Sequence, residues 1–182
     1  ELSGIPDEQA DACTQCCERQ DLANHPQQQE RAGRSARMSA DGALEGRCLC
    51  GAVSIALSDP AEAVEICQCD MCRRWGSAFY AALNGGEARI SGKESVSIYR
   101  SSQWAERAFC ACCGSMLWFR FLPTGNRSYS AGLFDGAKDH VIDREIFADR
   151  AVCWTELSGN HRRLTATEIL AEARAAGFSF EK

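Results

Sequence analysis

Hydrophobic and polar positions alternate in short runs along most of the chain. The runs "AVSIAL" (52–57), "SAFYAAL" (77–83), "SVSIYRS" (95–101), "MLWFRFL" (116–122) and "RSYSAGLF" (127–134) are brief and rich in β-branched or aromatic residues, which is the pattern of strands. Turn signals separate them: "SDP" at Ser58, "NGG" at Asn84, "SGK" at Ser91 and "PTGN" at Pro123. Many short strands at close spacing predict a mainly β domain, a compact sandwich or barrel-like fold. One segment breaks the pattern near the end, "LTATEILAEARAAGF". Thr165 with Glu168 makes a capping box, Ile169, Leu170 and Ala173 share a face, and Gly177 suits the C′ position, so a short C-terminal helix is expected there.

The first 37 residues do not fit this texture. Every aromatic residue lies at or after Trp75, and the polar run "NHPQQQERAGRSAR" has no apolar face. Such a stretch buries too little apolar surface to offset its ordering entropy. Residues 1–37 are read as a polar appendage, disordered or an upstream extension, and residues 38–182 as the domain, with Met38 a natural start. Cys13, Cys16, Cys17 and His25 in the appendage resemble half a zinc knuckle without its second half and are read as incidental.

Composition narrows the function. The apolar fraction is 45% and the net charge −5, which gives no basic footprint for nucleic acid. No apolar run approaches the roughly 18 residues of a membrane span. The first residues have neither a basic nor an apolar signal region, so a cytoplasmic, reducing setting is expected. There, twelve cysteines read as metal ligands or redox groups before disulfides.

Eight of these cysteines form three groups: "CLC" (Cys48, Cys50), "CQCDMC" (Cys67, Cys69, Cys72) and "CACC" (Cys110, Cys112, Cys113). A C-x-C pair in extended chain points both sulfurs to one side, and a C-x-x-C turn followed by Gly brings two thiolates onto one metal. Cys48, Cys50, Cys110 and Cys113 would complete a closed, structural zinc site of four thiolates. Cys67, Cys69 and Cys72 are left to share a second metal. Three protein ligands and a vacant fourth position is the arrangement of zinc enzymes. The competing arrangement has Cys112 fill that position and close the site, and an iron–sulfur cluster would use the same thiolates. Cys153 reads as a buried small apolar residue.

The motifs "GRCLCGAV", "CQCDMCRRWGSAF", "ISGKESVSIYRSSQWAERAFCACCGSMLWF", "SYSAGLFD" and "HVIDREIFADRAVCW" resemble the glutathione-dependent formaldehyde-activating enzymes, a family that includes centromere protein V relatives. The resemblance covers residues 46–170. It implies a mostly β fold with two zinc ions per chain: Cys48, Cys50, Cys110 and Cys113 on the structural one, Cys67, Cys69 and Cys72 on the catalytic one. Gln68 stands where many members have His, and Cys112 is an extra thiol. The implied activity is condensation of glutathione with formaldehyde to S-hydroxymethylglutathione, a carbon–sulfur lyase reaction in reverse.

Around these ligands, Arg73 and Arg74 read either as partners for a glutathione carboxylate or as a solvated pair offsetting thiolate charge. Asp70 reads as a turn residue before a proton acceptor, Trp75 and Phe79 as core before pocket wall, and Asp135-Gly136 as a turn. No role is assigned to His140 or His161. Two functions follow: a zinc enzyme acting on an adduct of glutathione or another small thiol, or a non-catalytic zinc-stabilised β module that binds a protein partner.

Overall fold

The computed structural model describes residues 42–180, so the expectations for residues 1–37 lie outside the described residues. The chain runs through β1 (Leu44–Arg47), β2 (Ser54–Leu57), β3 (Ala63–Cys67), α1 (Asp70–Gly76), β4 (Tyr80–Leu83) and β5 (Ala88–Ser91). It continues through β6 (Val96–Arg100), β7 (Ala105–Cys110), β8 (Met116–Phe121), β9 (Arg127–Ser130), β10 (Val141–Ile146), β11 (Arg162–Leu164) and α2 (Ala166–Ala175). The fold is mainly β, with two α-helices among the described residues.

The strands form two sheets. β1, β2 and β5 make a small antiparallel sheet, and the other eight make a larger one in the order β11-β10-β3-β4-β9-β8-β7-β6. Within the larger sheet, β10 pairs parallel with both β3 and β11. β11 and β6 remain as its edges. The sandwich or barrel-like expectation therefore resolves into two sheets on a shared core, with no closed barrel among the described residues.

Strand alternation divides the large sheet into two faces. Val64 and Ile66 of β3, Leu83 of β4, and Leu117 and Trp118 of β8 join Leu44, Ile55 and Leu57 of the small sheet in one buried core. Phe134 completes it from the chain after β9. Gly46 in β1 is required there, because a Cβ would lie 2.6 Å from the Phe134 ring. The opposite face carries Cys67, Tyr80, Ala82, Arg107 and Phe119 into a cleft of about 1660 Å³.

The helix α2 has the ends its sequence predicts. Thr165 Oγ1 accepts from the Glu168 N–H at 3.3 Å, and the Glu168 carboxylate accepts from the Thr165 N–H at 2.7 Å. Gly177, at φ +83°, allows the Phe178 N–H to donate back to Ala173 O at 2.9 Å and the Gly177 N–H to Arg174 O at 2.9 Å, a Schellman closure. The Arg144 guanidinium in β10 bridges Glu65 and Glu172, and the Ala166 N–H donates to Asp149 at 2.7 Å. These contacts hold α2 against the cleft side of the sheet. Cys153 is a correction: it is exposed, not buried, because it follows a short 3-10 turn (Ala148–Arg150) outside any strand.

Candidate metal centres and the cleft between sheet and helix

The Sγ atoms of Cys48, Cys50, Cys110 and Cys113 all lie within 4.8 Å of one another. Cys48 to Cys50 is 3.6 Å and Cys50 to Cys110 is 3.8 Å. Four sulfurs at about 2.3 Å from a central zinc are about 3.8 Å apart along a tetrahedron's edges, so this donor set fits the ion. The Cys48–Cys50 pair differs from expectation in one respect. It sits in a turn after β1, not in extended chain; the Gly51 N–H closes on Cys48 O at 3.1 Å and the Val53 N–H donates to Cys48 Sγ at 3.3 Å. On the other side, Cys110 ends β7 and the Gly114 N–H donates to its carbonyl at 2.8 Å. Gly114 takes φ +73° to make this turn.

Burial pushes the Cys113 thiol up, but hydrogen bonds from Ser115 outweigh it and bring it down to about 6. Burial drives Cys110 the other way, up to about 12. The group thus already favours one thiolate, while a divalent cation is what would let all four lose their protons. Because β1 belongs to the small sheet and β7 to the large one, an ion here would tie the two sheets together.

Cys67, Cys69 and Cys72 form the second group, again with sulfurs within 4.8 Å. Each comes from a different local setting. Cys67 ends β3, Cys69 is the N-cap of α1 and accepts from the Cys72 N–H at 3.5 Å, and Cys72 is buried in the first turn of that helix. Hydrogen bonds from Cys67 and Cys72 hold Cys69 well below the ordinary thiol range, and the bond to Cys69 pushes Cys67 correspondingly far up. Three soft sulfur donors at this separation suit zinc, whose charge would let them ionise together. Cys112 is not in this group; it packs against the main core, beside the first. All three cysteines line the cleft.

Between Cys67 and Cys69, Gln68 turns the opposite way. It is buried, and its amide donates to Glu145 at 2.6 Å while its backbone N–H donates to Ile146 O at 3.0 Å. Glu145, itself only 4% exposed, also meets His161 Nε2 at 3.0 Å and Arg163 Nε at 3.6 Å. This buried network locks the loop that carries Cys67 and Cys69 onto β10. His161, given no role from sequence, has one here.

Arg107 is the residue that sequence reasoning missed. It is 4% exposed, its guanidinium lies 5.4 Å from the ring centres of both Trp75 and Phe119, and its Nη2 reaches Cys72 Sγ at 3.6 Å. Nη1 donates to Ser101, and Nε has no hydrogen-bond partner among the described residues. The signal was a charged residue at an inward position of the "AERAFC" strand, where only a paired charge is tolerated.

The expected arginines are placed differently from one another. Arg73 pairs with Asp70 at 3.1 Å and donates to Arg150 O at 3.4 Å. Arg74 donates to Asp70 O at 3.1 Å and borders the cleft. Asp70 also meets Arg150 at 3.4 Å, as the first residue of α1. Trp75 packs beside the second group, 5.0 Å from the Tyr80 ring, whereas Phe79 packs on the main core. Asp135 and Gly136 lie in a 3-10 turn, and His140 lies in the chain just before β10.

The sequence profile of the glutathione-dependent formaldehyde-activating enzymes matches residues 43–156, which hold both cysteine groups and the sheet between them. The chain belongs to this family. A Schizosaccharomyces pombe protein named an uncharacterized lyase is 29% identical over 128 residues, 69% of this chain and 93% of its own. A Halomonas elongata protein, named for glutathione-dependent formaldehyde activation, is 36% identical over 85 residues, 41% of this chain; the chain spans about half of that relative, 54%. A crystal structure of a Rhodobacter sphaeroides protein is 25% identical, with a TM-score of 0.45 over 53% of this chain and 92% of its own. No helix among the described residues is long and apolar enough to cross a membrane.

Proposed function

We propose that the protein is a zinc-dependent enzyme of the carbon–sulfur lyase type, acting on the adduct of a small thiol such as glutathione with an aldehyde such as formaldehyde. The observation that carries this reading is the second cysteine group: three sulfurs brought together at the wall of a cleft, with no fourth donor in their cluster among the described residues. In this reading Cys48, Cys50, Cys110 and Cys113 hold a structural zinc and Cys67, Cys69 and Cys72 a second one.

Cys67, Cys69 and Cys72 would hold the second zinc, which when bound would supply the acidification that keeps a substrate thiol deprotonated at neutral pH. The protein's own groups do the rest. Arg107 sets a fixed positive charge against Cys72 and offsets the negative charge that three thiolates gather. Trp75 and Phe119 hold that guanidinium in place and keep water from it. Arg74, at the cleft edge, is the group we assign to a substrate carboxylate. In the condensation direction the thiolate sulfur attacks the carbonyl carbon, and the carbonyl oxygen takes up the proton that the thiol gave up; the lyase direction reverses both.

The family profile and the names of the two relatives support this reading. Its test is the rate at which ¹³C-labelled formaldehyde exchanges into glutathione, followed by exchange spectroscopy. Faster exchange with the metal-loaded chain, lost in Cys69→Ser, supports the enzyme. Exchange no faster than in buffer alone would turn attention to the partner-binding module.

A further inference from the structure

The cleft does not end at the cysteines. From Cys72 the Arg107 guanidinium leads to Phe119 at 5.4 Å. Phe119 leads to Trp104 at 6.5 Å, and Trp104 stands 6.2 Å from Phe121 and 4.8 Å from Phe180. Phe178 closes on Phe121 edge to face at 4.9 Å. These aromatic residues are only partly buried and line one cleft with the second cysteine group. The two outermost rings come from the tail after α2, beyond residues 43–156 that the family profile matches.

A one-carbon aldehyde occupies a small fraction of a cleft of about 1660 Å³. It cannot reach a ring beyond Phe119, and glutathione is polar along its whole length. Neither would cover the aromatic wall, whose burial against a flat apolar group is favourable. The wall is also held, not loose: the Phe178 N–H is fixed to Ala173 O by the helix closure, and Arg144 ties α2 to the sheet through Glu172 at 3.7 Å.

We propose that this wall is an apolar subsite and that the carbonyl partner of the thiol carries an aryl group. The substrate class is then the hemithioacetal of glutathione, or a like thiol, with an aryl aldehyde. The reacting carbon sits near the second cysteine group and the ring lies along Phe119, Trp104 and the tail. The step is the one already given: the carbon–sulfur bond forms, the carbonyl π pair moves to oxygen, and the thiol proton ends there, with no oxidant or reductant. This rests on the thiol–aldehyde reading above.

The test uses two stable thioethers that imitate the adducts, S-benzylglutathione and S-methylglutathione, titrated by calorimetry into the metal-loaded full chain. The benzyl compound binds at least about tenfold tighter. In the Phe178→Ala, Phe180→Ala double variant the ratio falls below about threefold, while metal content and S-methyl affinity stay unchanged. Phe178→Leu, which keeps most of the volume, guards against a folding defect and gives an intermediate ratio. Equal binding of the two by the unaltered chain, or a ratio that survives the double variant, overturns the aryl subsite and leaves the proposed function standing. Binding of neither overturns the aryl subsite, and failure to bind free glutathione as well overturns the thiol reading with it.

Discussion

Arg107 Nη2 lies 3.6 Å from Cys72 Sγ, with the guanidinium set between the rings of Trp75 and Phe119. A buried guanidinium is costly without a counter-charge, and no carboxylate pairs with this one among the described residues. Its counter-charge is the cysteine group itself.

Arg107→Met should therefore weaken the second metal more than the first. Loss of a group that hydrogen-bonds a metal ligand typically lowers affinity 10–100-fold. Competition with a chelator should show one metal per chain released about that much more easily and the other unaffected. Arg107→Lys, which keeps the charge but not the fork, should fall between. Equal release of both metals would contradict this assignment.

Cys113→Ser removes one of the four thiols of the proposed structural zinc site, which would join the small sheet to the large one. The expected cost is on the order of 5 kcal/mol, or about 15 °C in Tm for a chain of this size, with one metal per chain lost. Calorimetry alongside metal analysis reads both. An unchanged Tm with the metal gone would show that core packing alone holds the sheets.

Glu145 accepts from Gln68 at 2.6 Å and from His161 at 3.0 Å inside the protein. Glu145→Ala leaves both without their partner and should cost about 3 kcal/mol, seen as a lower urea midpoint at an unchanged slope. The ligand loop loses its anchor to β10 as well, so the second metal should dissociate faster. A shift of only a few tenths of a kcal/mol would mean the network is solvated in solution.

Much of the site was legible because the information is local. Three cysteine groups are short motifs, and their spacing put Cys48, Cys50, Cys110 and Cys113 together while leaving open whether Cys112 joined Cys67, Cys69 and Cys72; the structure groups the sulfurs as four and three. The capping box at Thr165 and the closure at Gly177 are likewise local, and both are present. What was not legible depends on contacts far apart in the chain. Gln68 meets Glu145 across 77 positions, and no spacing rule connects them. Strands β7 and β10 carry Arg107 and Arg144 on their cleft face, so they do not alternate apolar with polar as half-buried strands do. The helix α1 was missed because its seven residues, capped by Cys69 and holding Cys72, carry no apolar stripe. Cys48 and Cys50 converge through a turn where extended chain was expected, since the Val53 N–H captures the first sulfur.

The pH response of α2 follows from its cap. Hydrogen bonds from Thr165 hold the Glu168 carboxyl below its ordinary value. Its stabilisation is thus fully present above that ordinary value and fades as pH falls through the lower folded one. Thr165→Ala should cost about 1 kcal/mol of helix stability and flatten this acid response. Amide exchange over Ala166–Ala175 reads it directly; equal protection in the variant would show that packing and the bond to Asp149 suffice.

The proposed enzyme requires a second metal that still accepts a thiol. A native mass spectrum of the metal-loaded chain, taken with and without millimolar glutathione, measures this. The prediction is two zinc ions per chain and one retained glutathione, with Cys69→Ser keeping one zinc and no glutathione. Two zinc ions with no glutathione uptake at any concentration would contradict it, because both metal sites would then be closed.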